Sequence, residues 1–259
     1  MMSKITTIIL DWAGTAVDYG SFAPVEAFAQ AFAAFGLRPG LDEIRAPMGL
    51  QKRAHIAQML QCERLAAEFQ SVHGRAHSEP DIDAIYAAFE PALFAVLQNY
   101  AEPLPGVLDA VAQLRARGIS IGSTTGYTRA MMEVVAPLAA RNGYAPDCLV
   151  CPDEVGGVGR PAPYMLWRNL EILRCPAIHN ALKIGDTAAD MQEANHAGCR
   201  AVGVITGSSM LGLSQAEQNK LSDFERAAAF EQARKQYFAA GADFVIDDIT
   251  QLPELLAQI

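Results

Sequence analysis

The hydrophobic pattern begins with a short apolar run that ends abruptly on an acid. Ile5 to Leu10 are mostly apolar, and Asp11 follows them directly. A short run of this kind is typical of a strand that is buried on both faces of a sheet. The Trp-Ala-Gly-Thr sequence that follows predicts a turn. A single carboxylate is therefore expected at the carboxyl end of the first strand.

Residues 21–99 show a different pattern, in which apolar positions recur at helical spacing. The stretch PVEAFAQAFAAFG has Pro24 in its first turn and Gly36 at its stop, which are common features of helix ends. Helical patterns lie on both sides of a Pro-Met-Gly-Leu interruption at 47–50 and continue through DIDAIYAAFEPALFAVL. This range therefore predicts an all-helical insertion.

From residue 100 onward, strand patterns alternate with helix patterns. The further predicted strands are ISIGSTT, CLVC, ALKIGD, CRAVGVIT and DFVID. Repeated βα units imply a parallel sheet that is covered by helices on both faces. We therefore predict an α/β fold with a doubly wound, Rossmann-like parallel sheet. Its core would comprise residues 1–20 and 100–259, and residues 21–99 would form a helical domain inserted after the first strand.

Length and charge exclude several classes of function. The chain has 259 residues and a formal net charge of −9, without a block of Lys and Arg, which disfavours nucleic-acid binding. Its apolar runs fall short of the roughly 18 residues of a membrane span, and Ile5 to Leu10 is too short for a signal peptide. These features predict a cytoplasmic protein that binds neither nucleic acid nor a membrane.

Two patterns look like metal or redox motifs but have simpler interpretations. Among five widely spread cysteines, Cys148 and Cys151 form a C-x-x-C. A redox pair or half of a zinc site is the functional alternative, but a strand with its thiols on opposite faces is favoured because a second ligand pair is missing. His73 and His77 are four residues apart, yet the intervening Gly74 and the lack of a Glu disfavour a zinc helix.

Polar residues cluster where the predicted strands end. Asp11 follows the first strand, Thr125 the second, Arg160 comes after the third, and Asp186 and Asp190 follow the fourth. Ligands of open parallel sheets bind beyond the carboxyl ends of the strands. Carboxylates suit a hard cation, and hydroxyl and guanidinium groups suit a phosphoryl group. The set therefore predicts a site for a phosphoryl-bearing substrate and Mg²⁺.

The order and spacing of these residues resemble the haloacid dehalogenase superfamily. Its motifs are a strand with D-x-x-x-T, a strand ending in Ser or Thr, a basic residue before a helix, and G-D-x-x-x-D. They are matched in that order by Asp11 with Thr15, by Thr125, by Arg160, and by Asp186 with Asp190. The helical insertion lies where this superfamily has its cap domain.

The resemblance implies a role for each motif. Asp11 would attack phosphorus and form an aspartyl-phosphate. Asp11, Asp186 and the backbone carbonyl of Ala13 would bind Mg²⁺. Thr125 and Arg160 would hold the phosphoryl oxygens.

Some of these residues have a second interpretation. Asp190 and Thr187 match the capping box [ST]-x-x-[DE], so Asp190 either caps a helix or supports the metal site from behind, where Thr15 is also expected. Arg160 could be a solvated surface residue, although its glycine-rich approach favours a fixed loop. Thr125 could simply satisfy the end of its strand.

The residue two positions after Asp11 is the sharpest clue. Phosphatases of the superfamily carry D-x-D, whose second acid protonates the leaving group, but Ala13 stands here and cannot transfer a proton. Lys52 follows the Pro-Met-Gly-Leu break at a predicted helix start. A lysine that condenses with a carbonyl forms an iminium, which is an electron sink for a carbanion. The helix N-terminus and partial desolvation would favour its free amine.

These residues extend the resemblance to one family. DWAGT, PMGLQK, STTGYT, GRP and GDT together resemble the phosphonoacetaldehyde hydrolases, from about residue 5 to about residue 250. The resemblance implies that Lys52 forms a Schiff base with the aldehyde, and that the carbon–phosphorus bond breaks as phosphorus moves to Asp11. It also implies a small phosphonate substrate, acetaldehyde and phosphate as products, a place in 2-aminoethylphosphonate degradation, and a homodimer.

The same resemblance predicts neighbours of the substrate. Met48 and Gly49 lie beside Lys52 in the loop, and Tyr127 follows the second motif. His55 shares a helix face with Lys52 because it is three residues further on. It would either orient water and tune the lysine, or pack among the helices, and the sequence leaves both interpretations open.

Three other functions compete with this prediction. Ala13 disfavours a phosphomonoesterase or phosphomutase, and the GDTAAD acids disfavour a metal-independent dehalogenase. A catalytically inactive binding module is disfavoured because Asp11, Lys52 and Asp186 are all present.

Overall fold

The centre of the fold is a six-stranded parallel sheet with the strand order β3-β2-β1-β4-β5-β6. The computed structural model describes residues 4–259. The strands are β1 (Thr7–Leu10), β2 (Ser120–Thr124), β3 (Cys148–Val150), β4 (Ala181–Gly185), β5 (Arg200–Val204) and β6 (Phe244–Ile246). The order places β1 between β2 and β4, so the carboxyl ends of the strands that carry the predicted motifs lie side by side.

Helices cover both faces of this sheet. Ile8 and Leu10 belong to one apolar cluster and Ile9 belongs to another, because successive side chains of a strand point to opposite faces. The α-helices after residue 100 are α6 (Val107–Ala116), α7 (Arg129–Arg141), α8 (Tyr164–Ile172), α9 (Ala188–Ala197), α10 (Gln215–Gln218), α11 (Asp223–Ala239) and α12 (Leu252–Gln258). The predicted fold class, a doubly wound parallel α/β sheet, is confirmed.

Residues 22–97, which we call the helical segment, lie between β1 and β2. The segment contains α1 (Phe22–Ala34), α2 (Leu41–Arg45), α3 (Lys52–Gln61), α4 (Glu63–His73) and α5 (Glu79–Leu97). Its own apolar interior is built mainly by α1 against α5, where the rings of Phe28 and Phe89 stack with their centroids 4.3 Å apart. The Pro-Met-Gly-Leu break separates α2 from α3, as the sequence predicted.

The two chain crossings between the sheet and the helical segment run side by side. Val17 forms an antiparallel bridge with Pro103, and the Leu104 N–H donates to the Ala16 carbonyl at 2.9 Å. Asp18 stabilises the start of α1, because its carboxylate accepts the N–H groups of the first two helical residues at 2.9 and 3.1 Å. The first crossing is therefore fixed to both the sheet and the helices.

Arg45, at the end of α2, fastens the helical segment to a loop after β5. Its guanidinium donates to the carbonyl oxygens of Gly20, Ser209 and Gly212 at 3.0, 3.2 and 3.1 Å. A side chain on Gly212 would overlap the guanidinium, since a Cβ there would lie 2.7 Å from the Arg45 Cζ atom. The segment thus meets the sheet at the edge where the polar strand ends lie.

The structure also shows the environment of the cysteines and histidines that resemble metal or redox motifs in the sequence. Cys148 and Cys151 are buried free cysteines. The His73 Nε2 atom lies 3.0 Å from the Phe35 carbonyl oxygen, and its ring stacks on Phe69 at 4.2 Å. Of the helices in residues 4–259, none combines the length and the apolar character that a membrane crossing requires.

Candidate active site

Asp11 lies at the carboxyl end of β1 and is almost completely buried. Its backbone N–H continues the sheet by donating to the Ile184 carbonyl at 3.0 Å. The Arg160 Nη2 atom donates to the Asp11 carboxylate at 2.5 Å. Arg160 itself is buried, so this is a charge-assisted contact away from solvent. The first and third predicted motifs therefore meet directly.

Asp186 lies at the end of the neighbouring strand β4. It accepts the Ser209 N–H at 2.8 Å and the Thr15 hydroxyl at 3.3 Å. Gly14 is required beside it, because φ is +84° there and a Cβ would lie 2.3 Å from an Asp186 oxygen. The turn after Asp11 therefore brings the predicted Thr15 into contact with Asp186.

Asp190 caps a helix, as one of its two interpretations predicted, and it also takes part in ion pairs. With Thr187 it forms a capping box at the start of α9, in which the Asp190 N–H donates to the Thr187 hydroxyl at 3.1 Å. Its carboxylate also lies 3.0 Å from Arg160 Nη1 and 2.9 Å from Lys183 Nζ. A Cβ on Gly185 would lie 2.3 Å from the Asp190 Cγ atom, which explains the glycine of the G-D-x-x-x-D motif.

Two charged residues of this site, and the Thr124 hydroxyl between them, were not predicted from the sequence. Lys183 lies within β4 and Glu193 lies on α9, and both are completely buried. Glu193 accepts from the Arg160 Nε atom at 3.0 Å, and Lys183 Nζ lies 3.4 Å from the same carboxylate. Lys183 also donates to the Thr124 hydroxyl at 2.8 Å. We call the connected set the buried charge network: Asp11, Thr124, Arg160, Lys183, Asp190 and Glu193.

The carboxylates fit a divalent cation. Asp11, Asp186 and Asp190 can each offer an oxygen within 4.8 Å of the others. Burial, together with the charges of Asp11 and Asp190, raises the pKa of Asp186 well above its ordinary value. The two cations of the buried charge network face three carboxylates there and a fourth on Asp186, so the site is short of positive charge. Asp190 is paired with both Arg160 and Lys183, whereas within residues 4–259 Asp11 is paired with Arg160 alone and Asp186 accepts from the neutral groups of Thr15 and Ser209. Asp11 and Asp186 therefore keep more capacity than Asp190 to hold a hard cation.

Most of the predicted site residues line one small cavity between the helical segment and the strand ends. Its volume is about 20 Å³, which is room for roughly one water molecule. The predicted residues that line it are Asp11, Ala13, Met48, Gly49, Lys52, Thr125, Tyr127 and Arg160. Ser21, Gly126 and Thr187 also line it and were not predicted as substrate neighbours. The cavity thus joins the first three motifs to the loop that carries the lysine.

The lysine of the helical segment is held in an apolar, aromatic environment. Lys52 begins α3 and is 4% exposed. Its Nζ atom lies over the rings of Tyr127 and Phe28, 5.0 and 5.8 Å from their centroids. Burial lowers the pKa of Lys52 to about 8, although the Asp11 carboxylate opposes this shift. Burial therefore favours the free amine of Lys52, which lines the same cavity as Asp11.

Comparison with known proteins agrees with this geometry. The family model of haloacid dehalogenase-like hydrolases matches residues 5–198, and a second model, HAD-hydrolase-like, matches residues 157–252. Two curated relatives, from Parabacteroides distasonis and Bacillus thuringiensis, are named phosphonoacetaldehyde hydrolase. Each is 44% identical, with 100% and 99% of this chain aligned to 98% and 97% of the relative. The chain belongs to the phosphonoacetaldehyde hydrolase family.

A solved structure extends this family relationship to three dimensions. A phosphonoacetaldehyde hydrolase-like protein from Oleispira antarctica superposes with a TM-score of 0.96 at 33% identity. The match covers 99% of this chain and 93% of that one. The chain is therefore a hydrolase whose whole length, including the helical segment, follows the architecture of the phosphonoacetaldehyde hydrolase family.

In this member of the phosphonoacetaldehyde hydrolase family, residues 47–51 form a loop directly before Lys52, which we call the lysine loop. It contacts the loops that follow β2 and β4. A Cβ on Gly49, where φ is +89°, would lie 2.3 Å from the Thr187 hydroxyl oxygen. A Cβ on Gly126 would lie 2.7 Å from the Leu50 carbonyl oxygen. Glycines on both sides of this contact therefore permit the backbone of the loop to approach the sheet and bring Lys52 into the cavity.

His55 does not belong to the group that lines the cavity. It is completely buried, its Nε2 atom lies 2.7 Å from the Ile44 carbonyl oxygen, and its ring centroid lies 4.0 Å from that of Phe28. Burial and the Lys52 charge lower its pKa well below the ordinary value, which keeps the imidazole neutral. Phe28 contacts both His55 and Lys52, so the histidine lies one aromatic ring behind the amine.

Proposed function

We propose that this hydrolase cleaves the carbon–phosphorus bond of phosphonoacetaldehyde to give acetaldehyde and phosphate, as part of 2-aminoethylphosphonate degradation. The single observation that carries the proposal is the buried Lys52 amine, which shares one cavity with Asp11 and with Ala13 in place of a second acid. A carbon leaving group has no oxygen for an acid to protonate. An amine that forms an iminium supplies the electron sink which this bond cleavage needs.

The first chemical step uses Lys52. Its free amine adds to the aldehyde carbon, and loss of water gives a protonated imine that is bonded to Nζ. The carbon attached to phosphorus is then adjacent to an iminium carbon. The pKa of about 8 favours this step, because only the free amine attacks a carbonyl.

The second step uses Asp11. A carboxylate oxygen attacks phosphorus, the carbon–phosphorus bond breaks, and its electron pair moves into the iminium to give an enamine on Lys52. Arg160 holds the attacking carboxylate, and Thr125 faces the phosphoryl oxygens from the end of β2. Water then cleaves the aspartyl-phosphate, while protonation and hydrolysis of the enamine release acetaldehyde and regenerate the amine.

The metal of this reaction would be Mg²⁺. The carboxylates of Asp11 and Asp186 and the carbonyl of Ala13 would hold it, with Thr15 and Asp190 supporting these acids through their hydrogen bonds and ion pairs. When bound, the cation offsets the repulsion between the phosphonate and the attacking carboxylate. Ala13 leaves room for the backbone contact without adding a competing charge.

The helical segment would act as a cap domain over residues 1–20 and 100–259. The cavity volume of about 20 Å³ is too small for the substrate together with water, so substrate entry requires this cap to move away from the strand ends. The crossings at 21–24 and 100–106 are the proposed hinges. Met48, Gly49 and Tyr127 would contact the bound substrate, and His55 would act indirectly through the aromatic ring between it and Lys52.

The test measures products and the covalent intermediate together. Phosphate and acetaldehyde should appear in equal amounts from phosphonoacetaldehyde, and EDTA should stop their release until Mg²⁺ is restored. Borohydride added with substrate should attach a two-carbon or phosphonoethyl group to Lys52 and not to the exposed Lys235. Full activity of Lys52→Arg would contradict the Schiff-base proposal, because a guanidinium does not form an imine. A homodimer and a cytoplasmic location stay predictions.

A further inference from the structure

The Glu193 carboxylate lies within hydrogen-bond or ion-pair distance of three buried side chains. Its Oε2 atom accepts from Arg160 Nε at 3.0 Å and from the Thr124 hydroxyl at 3.0 Å, and Lys183 Nζ lies 3.4 Å away. All four side chains are buried. A buried carboxylate and two buried cations are costly unless each is paired, so this set has to form as a unit.

This arrangement controls the orientation of the Arg160 guanidinium. Its three nitrogens reach three carboxylates, with Nη2 on Asp11 at 2.5 Å, Nη1 near Asp190 at 3.0 Å and Nε on Glu193 at 3.0 Å. The guanidinium is planar and its donors form a fixed fork. Contacts on the Nε and Nη1 edges therefore determine where Nη2 points, and Nη2 contacts the proposed nucleophile.

Lys183 and Thr124 complete the same arrangement. The Lys183 Nζ atom lies 2.9 Å from Asp190 and 3.4 Å from Glu193. It therefore partly neutralises these two carboxylates, which would otherwise attract Arg160 away from Asp11. The Thr124 hydroxyl accepts from both Lys183 Nζ and Arg160 Nη2 at 2.8 Å and donates to Glu193. Its donor and acceptor capacity is thus used on three partners of the buried charge network.

We infer that Glu193, Lys183 and Thr124 are positioning residues, which hold Arg160 and through it Asp11 in the orientation needed for attack on phosphorus. The described residues that line the cavity include Arg160 but none of these three. The three residues would therefore act on the reaction through Arg160. This inference rests on the proposed role of Asp11. It predicts that their loss slows transfer of phosphorus while leaving the chemistry of Lys52 intact.

The test separates the two chemical steps in the full-length protein with Mg²⁺. Glu193→Gln keeps the size of the side chain and removes its charge. We expect kcat for phosphate release to fall about 10- to 100-fold, the range found when supporting partners of a site are removed, with KM changed by less than about threefold. The rate at which borohydride captures substrate on Lys52 should stay within about twofold of the wild-type rate.

A second variant tests the same inference if Glu193→Gln does not fold. Thr124→Val keeps the shape of the side chain and every formal charge, and it should also lower kcat, by about fivefold or more, without changing capture on Lys52. The matched control is Ser123→Ala, since the adjacent Ser123 hydroxyl is buried and has no hydrogen-bond partner within residues 4–259. This variant should retain wild-type kcat. Glu193→Asp should recover part of the loss if the carboxylate charge is what matters.

Three results would overturn the inference or its basis. Wild-type kcat in Thr124→Val or in a folded Glu193→Gln removes the positioning role. Equal losses in phosphate release and Lys52 capture also remove it, because they indicate general damage to the site. If the wild-type protein releases no phosphate from phosphonoacetaldehyde, the proposed function itself is wrong, which is a distinct outcome.

Discussion

The Nζ atom of Lys52 lies 5.0 Å from the ring centroid of Tyr127. The two residues come from different parts of the chain, since Lys52 begins α3 of the helical segment and Tyr127 follows β2. The aromatic face stabilises the ammonium form by a cation–π interaction, whereas burial favours the neutral amine. Burial is the larger effect, and it lowers the pKa of Lys52 to about 8.

The reactivity of Lys52 should therefore follow an unusual pH dependence. The neutral amine predominates above about pH 8, and its fraction falls about tenfold for each pH unit below this value. Competitive labelling with acetic anhydride, read by mass spectrometry, should give a midpoint near pH 8 for Lys52. Lys235, whose side chain is 68% exposed, is the internal control. Identical profiles for the two lysines would contradict the effect of burial.

The second prediction concerns Ala13→Asp. The new carboxylate would face the cavity beside Asp11 and Lys52, where it would repel the phosphonate and favour the ammonium form of the lysine. Turnover of phosphonoacetaldehyde should fall more than about tenfold, because free amine and anion binding are both reduced. Ala13→Ser serves as the control for size. If Ala13→Asp hydrolyses phosphate esters faster than the wild-type protein hydrolyses the phosphonate, the substrate assignment is wrong.

The third prediction compares two glycines of the helical segment that share a positive φ. At Gly49 a Cβ would lie 2.3 Å from the Thr187 hydroxyl oxygen, whereas at Gly74 nothing lies within 4 Å of it. Both alanine variants should lose about 1 kcal/mol of stability from backbone strain. Gly49→Ala should also lose most of its activity, because the lysine loop must move off the strand ends. Chemical unfolding and phosphate release check both effects. Equal activity of the two variants would contradict the close contact.

The fourth prediction concerns the stability contributed by Asp18, whose carboxylate accepts two N–H groups at the start of α1. Burial raises its pKa to about 7, against the two N–H groups that it accepts and the nearby Lys52 charge. The folded protein therefore binds this proton more tightly than the unfolded chain does. The associated stabilisation is fully present below about pH 4 and is lost as the pH rises through about 7.

Asp18→Asn isolates this effect because the amide does not titrate. The free energy of unfolding of the wild-type protein, relative to the variant, should fall by roughly 4 kcal/mol between pH 4 and pH 8, since each pKa unit corresponds to about 1.4 kcal/mol. Urea unfolding at several pH values measures the difference, in which the other titrating groups cancel. A difference that does not change with pH would mean that Asp18 titrates normally.

The strands could be predicted because their signal is local. Each is a short apolar run that is bounded by a turn or by polar residues, and β4 is buried along its whole length as a doubly covered sheet requires. The break at 47–50 was visible for the same reason, since Pro and Gly end helices through their own backbone preferences. The motif residues at the strand ends followed from the topology, because parallel strands bring their carboxyl ends to one edge.

The sequence by itself determined the fold class, the acids at the strand ends and the replacement of the second acid by Ala13. Only the tertiary structure placed Lys183 and Glu193, because an isolated lysine in a strand or glutamate on a helix usually faces solvent. A signal was present, since Lys183 interrupts an otherwise apolar strand and Glu193 lies one turn after Asp190. Their burial depends on β2, β1 and β4 lying side by side, and this arrangement comes from long-range packing that no local pattern specifies.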